Sequence, residues 1–384
     1  MGRARHVHRG DDLREPAVSN RCRGRHRDVR GDQFRRDLGC DPPTIRVGRA
    51  VADGDRCAGA REPCGRVAAR GGIDVNPPDD DLARTADLLN EVFAHPHPLS
   101  VESLRWYYRD NPRGPAAVGN VEEGGRRLGN YALIPQRFVS ATGDERILGV
   151  GVDLAVSPDA RGGGVFRRTV EDSYDRAITL GHDGILGVAN ANSAPRMVET
   201  LGWRALDPLP VTLCPPSATA AGFEVLEADD RFADSELFGR ISRDGFARGW
   251  RTGYGPDWTP ELLRWRLGRP GFRYWVHHRE GLTVISTRTR VAGVRFGVVL
   301  KTLAAPGVTA SVSGARVAAS LAVVHRTPLV IHWGRTPSVR YRGVPLPQSR
   351  MPSPLALVLH RHHDRFDEAA FELGAFEFLD FDAY

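Results

Sequence analysis

Lysine is almost absent from this sequence. Of its 53 Lys and Arg residues, only Lys301 is a lysine. The arginines concentrate at the N-terminal end, where residues 1–72 hold 17 Arg against 10 Asp and Glu and so carry a formal charge of +7. Since the whole chain carries +6, the remaining residues carry about −1. This near-neutral remainder lacks the basic surface that nucleic-acid binding requires, so we predict no nucleic-acid partner.

Residues 1–72 also lack Tyr and Trp, contain a single Ile and show no helical or strand period. Such a segment cannot bury enough apolar surface to offset its chain entropy. We therefore predict that residues 1–75 form a disordered, Arg-rich segment. Two interpretations stay open, namely a genuine disordered tail and upstream sequence translated from a misassigned start.

Cysteine is scarce, and four of the five cysteines lie in that segment, at Cys22, Cys40, Cys57 and Cys64. Their spacings contain no C-x₂-C pair, so they predict neither a zinc site nor a disulfide framework. In the histidine cluster HRHHD at 360–364 no two histidines have the helical i, i+4 spacing, and no metal site is predicted. No apolar span approaches 18 residues and no secretory signal follows the early arginines, which predicts a cytoplasmic protein without a membrane partner.

From residue 79 onward the sequence alternates between helical and strand periods. The predicted elements, in chain order, are helices at 82–93 and 101–110, strands at 115–121, 127–141 and 146–156, a helix at 165–180, a strand at 184–190 and a short helix at 194–201. The order predicts an α/β (α+β) fold in which helices flank a mixed central sheet.

An internal echo links two distant segments. SVESLRW at 100–106 and TPELLRW at 259–265 share a helix-start residue, a Glu and the run Leu-Arg-Trp, and each precedes a Pro- and Gly-containing turn and a strand. Such similarity suggests two copies of one unit. The second copy has no arginine-led glycine loop, so we expect that copy to be degenerate.

Three consecutive glycines, Gly162, Gly163 and Gly164, follow Arg161 and precede a predicted helix. Without Cβ atoms the backbone can approach a ligand closely, and the helix start offers unpaired N–H groups and a positive dipole end. The segment therefore predicts an anion site, with a phosphate as the expected ligand.

The loop and the element order together resemble the GNAT superfamily of acyl-CoA-dependent N-acyltransferases. That family's cofactor motif is Arg or Gln, two variable residues, Gly, one variable residue and then Gly or Ala, between the fourth strand and its helix. Here the motif reads RGGGVF at 161–166, where Phe166 replaces the usual small residue. Downstream, NANSAPRMVETLGW resembles the family's Asn-containing turn, short helix and Leu-Gly-aromatic ending. The resemblance covers residues 80–205.

The resemblance implies acetyl-CoA or another acyl-CoA as co-substrate and no metal. The pyrophosphate of coenzyme A would then lie on the loop amides. Its pantetheine arm would enter a slot where the strand VDLAV separates from the strand ILGVAN. The main-chain N–H near Val156 would also polarise the thioester carbonyl. The residues implied to bind coenzyme A are Leu154, Val156, Arg161, Gly162, Gly163, Gly164, Val165, Phe166, Asn190 and Asn192. For the two asparagines helix capping is an alternative role, and it is preferred for Asn192.

The implied reaction is direct attack of a neutral amine on the thioester, so a base must take the proton of the amine. Asp153 is the candidate, because strand alternation places it on the face opposite Val152 and Leu154; a solvent-facing strand carboxylate is the alternative. The Tyr that the family uses as acid is missing, since Val198 occupies its position. Tyr131 and Tyr174 are possible substitutes that core packing also explains.

The sequence therefore predicts an acyl-CoA-dependent N-acyltransferase, an acetyltransferase in the first instance, acting on the amine of a small molecule or amino sugar. The alternative is a catalytically inactive acyl-CoA-binding or scaffold protein of the same fold. The predicted domains are a disordered segment (1–75), a catalytic GNAT domain (76–215) and a degenerate GNAT-like domain (216–384) that shapes the acceptor pocket. Neither the acceptor nor the oligomeric state follows from the sequence.

Overall fold

Two mixed β-sheets with helices on their faces account for most of the described chain in this computed structural model. The structure describes residues 78–93, 98–291, 293–308, 312–347, 355–364 and 366–381, all within the unit Ala52–Tyr384. The predictions for residues 1–75 and their cysteines lie outside the described residues.

The described residues form six α-helices and fifteen strands. The helices are α1 (Asp79–Phe93), α2 (Val101–Tyr108), α3 (Val165–Thr179), α4 (Glu236–Asp244), α5 (Pro260–Leu267) and α6 (Gly314–His325). The strands are β1 (Ala117–Glu123), β2 (Arg126–Ser140), β3 (Glu145–Val156), β4 (Gly184–Ala189), β5 (Arg204–Ala205), β6 (Val211–Cys214), β7 (Glu224–Ala228), β8 (Tyr254–Pro256), β9 (Tyr274–Arg279), β10 (Leu282–Val291), β11 (Val294–Ala304), β12 (Val330–Arg335), β13 (Val344–Pro345), β14 (Ala356–Arg361) and β15 (Phe376–Glu377).

The first sheet has the order β1-β2-β3-β4-β14-β5, with β8 paired to β2. The strands β1, β2 and β3 form an antiparallel meander, and β3 pairs with β4 in parallel after the crossover through α3. The helix α3 covers one face, where glycines on β1 and β2 let it approach closely. A Cβ at Gly119 would lie 2.8 Å from the Ser173 Cβ, and one at Gly129 would lie 2.9 Å from Val165. The helices α1 and α2 pack on the other face, against Ala132, Ile134 and Ala155.

The second sheet has the order β13-β6-β12-β11-β10-β9-β7, with β15 paired to β12. Its central strands repeat the pairing pattern of the first sheet, because β9, β10 and β11 are antiparallel and β11 pairs with β12 in parallel after α6. Each sheet also contains a strand that is distant in sequence from its central strands. In the second sheet β6 pairs with β12, and in the first sheet β14 pairs with β4. Residues 356–361 therefore belong to the first sheet, although they lie near the C-terminal end.

The echoed segments form the helices α2 and α5, which begin in the same way. Ser100 accepts a hydrogen bond from the Ser103 N–H, and Thr259 accepts one from the Leu262 N–H, each at 3.1 Å. The two tryptophans of the echo stack with ring centroids 4.8 Å apart. Trp106 donates its indole N–H to the Trp265 carbonyl at 2.8 Å, and Trp265 donates to the Trp106 carbonyl at 3.0 Å. The two helices thus meet through a reciprocal contact.

A buried ion cluster attaches the C-terminal segment to the second sheet. Lys301 Nζ on β11 lies 2.7 Å from Asp380 Oδ2 and 3.6 Å from Glu377 Oε2. Trp258 donates its indole N–H to Asp380 Oδ1 at 2.7 Å, and His332 Nε2 lies 3.0 Å from Glu377 Oε1. Lys301 is only 3% exposed. Charges this deeply buried persist only when paired, so the cluster fixes the position of residues 376–381.

The predicted fold class and element order are confirmed: the meander, the parallel pair and the intervening loop and helix all lie where the sequence patterns predict them. A helix is present within the predicted range 194–201, but over Arg196–Thr200 it is a π-helix turn and not an α-helix. The Leu201 N–H bonds the carbonyl five residues earlier, at Arg196, over 3.2 Å.

Candidate functional site

The glycine loop leads directly from the end of β3 into α3. Gly162 and Gly164 have φ angles of 87° and 73°, values that side-chain-bearing residues rarely adopt. Gly164 is the N-cap residue of α3 and supplies no side-chain cap. Within the described part of the chain, the first-turn N–H groups of Val165, Phe166 and Arg167 have no acceptor. The loop therefore presents unpaired donors at the positive end of a 15-residue helix.

The electrostatics of this loop also favour an anion. The first turn of α3 contains no acidic residue, and Arg161 and Arg168 are exposed beside it. Val165 is buried against Val121 and Leu128, so it anchors the start of the helix rather than facing solvent. Phe166 and Leu154 are both partly buried and pack against the same apolar cluster.

The strands β3 and β4 separate just below the loop. Their parallel pairing runs from Leu148 and Gly184 to Gly151 and Gly187, and among the described residues it goes no further. The strand β3 nevertheless continues to Val156, paired to β2 alone. Ser157 donates its N–H to the Leu128 carbonyl of β2 at 2.9 Å, so strand alternation turns the N–H groups of Leu154 and Val156 towards the open edge. The pairing of β3 with β4 thus ends where the slot is predicted.

Asp153 lies at a bulge in β3, and its predicted orientation is wrong in one respect. Val152 pairs with Ala132 and Ala155 with Asn130, so two residues of β3 oppose Tyr131 alone. The bulge interrupts the alternation of side chains and gives Asp153 a φ of 54°. Val152 packs on the α2 face of the sheet, and Asp153 contacts α2 as well instead of facing the opposite side. Non-glycine residues at positive φ are strained and concentrate at functional sites.

Tyr108 and Asn130 hold Asp153 in place. Tyr108 donates its hydroxyl hydrogen to Asp153 Oδ2 at 2.8 Å. Asn130 Nδ2 donates to the Tyr108 hydroxyl at 3.1 Å and to the Asp153 carbonyl at 3.0 Å. Burial, with the Asp153 carboxylate as second cause, raises the pKa of Tyr108 well above its ordinary value, so Tyr108 remains a donor. Sequence reasoning missed both partners, because neither lies near Asp153 in the sequence.

From the sequence, helix capping is the preferred role for Asn192, but Asn190 is the asparagine whose side chain accepts the capping hydrogen bonds. Asn190 Oδ1 accepts hydrogen bonds from the N–H groups of Asn192 and Ser193, at 2.9 and 3.0 Å. The Ala194 N–H also bonds the Asn190 carbonyl at 3.0 Å. Asn190 is therefore the residue that starts the turn, because its side chain reaches the N–H groups two and three residues ahead. Asn192 contributes only its backbone to these contacts, and the residue is exposed.

Neither tyrosine suggested as a substitute acid is on the short helix, where the exposed Val198 occupies the expected position. The hydroxyl of Tyr174 accepts the indole N–H of Trp203 at 2.6 Å, and its ring stacks on His360 with centroids 4.7 Å apart. Tyr174 is thus committed to packing between α3 and β14. Tyr131 is buried below the slot at 1% exposure.

A cavity opens on the α2 face, the face that also carries Asp153. Its volume is about 340 Å³, counted with its open mouth. The lining combines aromatic rings with amide and carboxylate groups, among them Tyr107, Gln136, Trp258, Trp265 and Asp380. Within the described residues, the buried Gln136 Oε1 accepts no hydrogen bond. The cavity therefore offers an unsatisfied acceptor and π-faces, a combination that suits an amine or ammonium group.

The described ranges contain neither a metal-binding cluster nor a membrane-spanning helix. Among those residues, no group of three or more His, Cys, Asp and Glu side chains is arranged to hold a metal ion. The described helices include none with the length and apolar character needed to span a bilayer.

No protein-family model matches the chain, and no curated protein matches it. Among solved structures, it is similar to a probable N-acyltransferase from Enterococcus faecalis V583, at 11% identity and a TM-score of 0.47 over 74% of this chain and 69% of that one. A GCN5-related N-acetyltransferase from Anabaena variabilis ATCC 29413 is 9% identical, with a TM-score of 0.48 over 74% and 71%. Saccharomyces cerevisiae N-myristoyltransferase, solved with bound myristoyl-CoA, is 12% identical, with a TM-score of 0.43 over 79% and 86%.

The assignment of the fold rests on the strand pairings themselves. The meander, the parallel pair and the glycine loop occur in the order that the resemblance implies, with the loop after the third described strand. The first sheet thus has a strand layout of the kind expected for a GNAT protein.

Proposed function

We propose that this chain is an acyl-CoA-dependent N-acyltransferase that moves an acyl group, acetyl in the first instance, to the amine of a small molecule or amino sugar. The observation that carries the proposal is the open edge of β3 between Gly151 and Val156, close to the start of α3, whose first-turn N–H groups have no acceptor among the described residues. A strand edge of this kind can bond amides as it would bond a peptide, and the loop can bond a pyrophosphate.

In this proposal acyl-CoA is a substrate held by the backbone. The N–H groups of Gly162, Gly164, Val165 and Phe166 would bond the pyrophosphate, and the Arg161 guanidinium would neutralise part of its charge. The edge groups of Leu154 and Val156 would bond the pantetheine amides. Asn190 and Asn192 border the same slot. One N–H at the bulge or at Val156 would point at the thioester oxygen, where negative charge develops during attack.

The acceptor would enter from the α2 face, where the cavity and Asp153 lie. An alkyl ammonium has a pKa of about 10.4, so its nitrogen must lose a proton before it can attack. Asp153, fixed by Tyr108, would take that proton directly or through a water. The C–N bond forms as the C–S bond breaks, and coenzyme A leaves as the thiol once its sulfur is protonated. No covalent enzyme intermediate is involved.

The proposal extends to the organisation of the chain. The proposed domains are 76–215 and 216–384, and the repeated pairing pattern supports the second as a degenerate copy of the first. The strands β6 and β14 each pair in the sheet on the other side of this boundary. Trp258, Leu262 and Trp265 of the second part line the cavity, as expected if that part shapes the acceptor pocket. The proposal also includes a cytoplasmic location. The free, buried thiol of Cys214 suits such a reducing compartment.

Thermal unfolding with and without acetyl-CoA tests the binding part of this proposal. At a ligand concentration about 100 times Kd, binding stabilises the folded state by about 2.7 kcal/mol. We expect a raised Tm in the wild type and no shift in Arg161→Glu, which places a negative charge beside the pyrophosphate site. Arg290→Glu makes the same charge change at an exposed position of the second sheet and should keep the shift. If acetyl-CoA and longer acyl-CoAs leave Tm unchanged in the wild type, the proposal is wrong.

A further inference from the structure

Arg266 on α5 is a buried cation to which the described residues bring no counter-charge. The residue is only 4% exposed. Its Nε donates to the Leu379 carbonyl at 3.1 Å, and a terminal nitrogen donates to the Phe381 carbonyl. Both acceptors are neutral, and no described carboxylate lies at ion-pair distance from the guanidinium. Because buried charges are rarely left unpaired, this arrangement calls for an anion that the described residues do not supply.

Aromatic rings hold the guanidinium without neutralising it. Its central carbon lies 5.8, 5.5 and 5.7 Å from the ring centroids of Trp106, Tyr107 and Trp265. These π-faces attract a cation but carry no net charge. The two carbonyl bonds use two of the five N–H donors of an arginine, so the same group can still bind a ligand. Arg266 also lines the cavity on the α2 face, which is where such a ligand would reach it.

The carboxylate that shares this cavity is already paired. Asp380 Oδ1 accepts the indole N–H of Trp258 at 2.7 Å, and Asp380 Oδ2 lies 2.7 Å from Lys301 Nζ. Lys301 therefore compensates Asp380, and Arg266 is left for a different anion. Gln136 Oε1, on the same lining, is a buried acceptor without a donor among the described residues. The cavity thus offers a cation for a carboxylate and an acceptor for an N–H group.

The cavity lies within reach of the proposed base. Val150 lines it and precedes Asp153 by three residues on β3, which is roughly 10 Å along a strand. Tyr107 lines it as well, and the next residue, Tyr108, holds Asp153. An acceptor whose amine lies at Asp153 can therefore place a second polar group in the cavity when several bonds separate the two groups.

We propose that Arg266 is a specificity-determining residue that binds a carboxylate of the acceptor. This inference rests on the proposed function and narrows the acceptor to an amino acid or short peptide in which several bonds separate the amine from the carboxylate. The planar guanidinium would bond the carboxylate oxygens, and Gln136 Oε1 would accept an N–H of the kind that a peptide amide provides. Arg266 takes no part in bond making, and the amine proton still passes to Asp153.

The test compares acids with their neutral amides. The probes are 4-aminobutanoate, 6-aminohexanoate and 8-aminooctanoate, each paired with the amide of the same chain length, and isothermal titration calorimetry measures their binding to the full chain. We expect at least one acid to bind at least tenfold more tightly than its amide, because the amide replaces a charge-assisted pair by a neutral contact. Equal affinities within every pair in the wild type would overturn the inference, and this comparison needs no variant.

Three variants test whether the preference for the acid belongs to Arg266. Arg266→Gln should lose the preference, and Arg266→Lys, which keeps the charge without the planar fork, should retain part of it. Arg264→Gln is the matched control and should keep the wild-type preference, because Arg264 lies on the same helix but is exposed and outside the cavity lining. Circular dichroism verifies that each variant is folded. A full preference in Arg266→Gln would overturn the role of Arg266.

Acyl transfer to the same probes separates this inference from the proposed function. With acetyl-CoA, KM for the preferred acid should be at least tenfold below that for its amide at similar kcat, since the carboxylate contact is the same before and during attack. Acetylation of acid and amide with equal kcat/KM would overturn the inference and leave the proposed function intact. Preferential binding of the acid without its acetylation would show a carboxylate site that serves no acceptor, so that the proposed function fails separately.

Discussion

The Asp153→Asn variant is expected to lower kcat for acyl transfer by about 10²–10⁴-fold, the range typical of a lost general base. Its affinity for acetyl-CoA should not change, since the proposed pyrophosphate and pantetheine contacts involve backbone groups and Arg161, not Asp153. Asparagine suits the site in other respects. It tolerates a positive φ better than most residues, and its side-chain oxygen can still accept the hydrogen bond from Tyr108.

Steady-state kinetics with an amine that the wild type acylates, together with acetyl-CoA titration, measures both quantities. Asp159→Asn is the matched control, because this carboxylate lies six residues further along the chain and is exposed beside the loop. Its kcat should equal that of the wild type. Unchanged turnover in Asp153→Asn would remove Asp153 as the base and leave it as a structural carboxylate of the bulge.

The largest expected effect on stability is that of Lys301→Met. Removing Lys301 leaves Asp380 and Glu377 buried without their counter-charge, and breaking a buried pair in this way costs about 3–5 kcal/mol. Burial already raises the pKa of Asp380, with Lys301 opposing that rise. In the variant the pKa should rise further, so folding takes up a proton. The loss of stability should therefore be greater at pH 8 than at pH 5.

Urea unfolding at the two pH values provides the free energies. The double variant Lys301→Met, Asp380→Asn removes one of the buried charges together with the lysine and should recover part of the loss, which a double-mutant cycle quantifies. A single variant as stable as the wild type at both pH values would show that the cluster does not hold residues 376–381 in place.

The element order could be predicted because its signals are local. Turn formers bound the strands of the meander, and the apolar period of α3 starts immediately after Gly164. The slot is implied by the resemblance to the GNAT superfamily, once the loop is placed between a strand and a helix. Its prediction needed no contact between residues distant in sequence.

The details that tune the site depend on long-range contacts, and the sequence does not reveal them. The partner of Asp153, Tyr108, is 45 residues away, and the bulge that turns Asp153 towards it appears only in the register of β2 and β3. The pairing of β14 with β4 joins residues about 170 apart in sequence. The entropy cost of closing a loop rises only slowly with its length, so this separation does not prevent the pairing. The same holds for Lys301, whose role depends on carboxylates from the C-terminal segment.

Transfer of the acyl group is the most direct test of the central claim that the open edge of β3 holds an acyl-CoA for attack by an amine. The full chain is incubated with acetyl-CoA and a panel of primary amines and amino sugars, and the released thiol and the acetylated amine are measured by a thiol reagent and by mass spectrometry. We predict that at least one amine gains an acetyl group in an amount equal to the thiol released. Binding of acetyl-CoA without amide formation from any amine, with acetyl or longer acyl donors, would contradict the claim and identify an inactive acyl-CoA-binding protein.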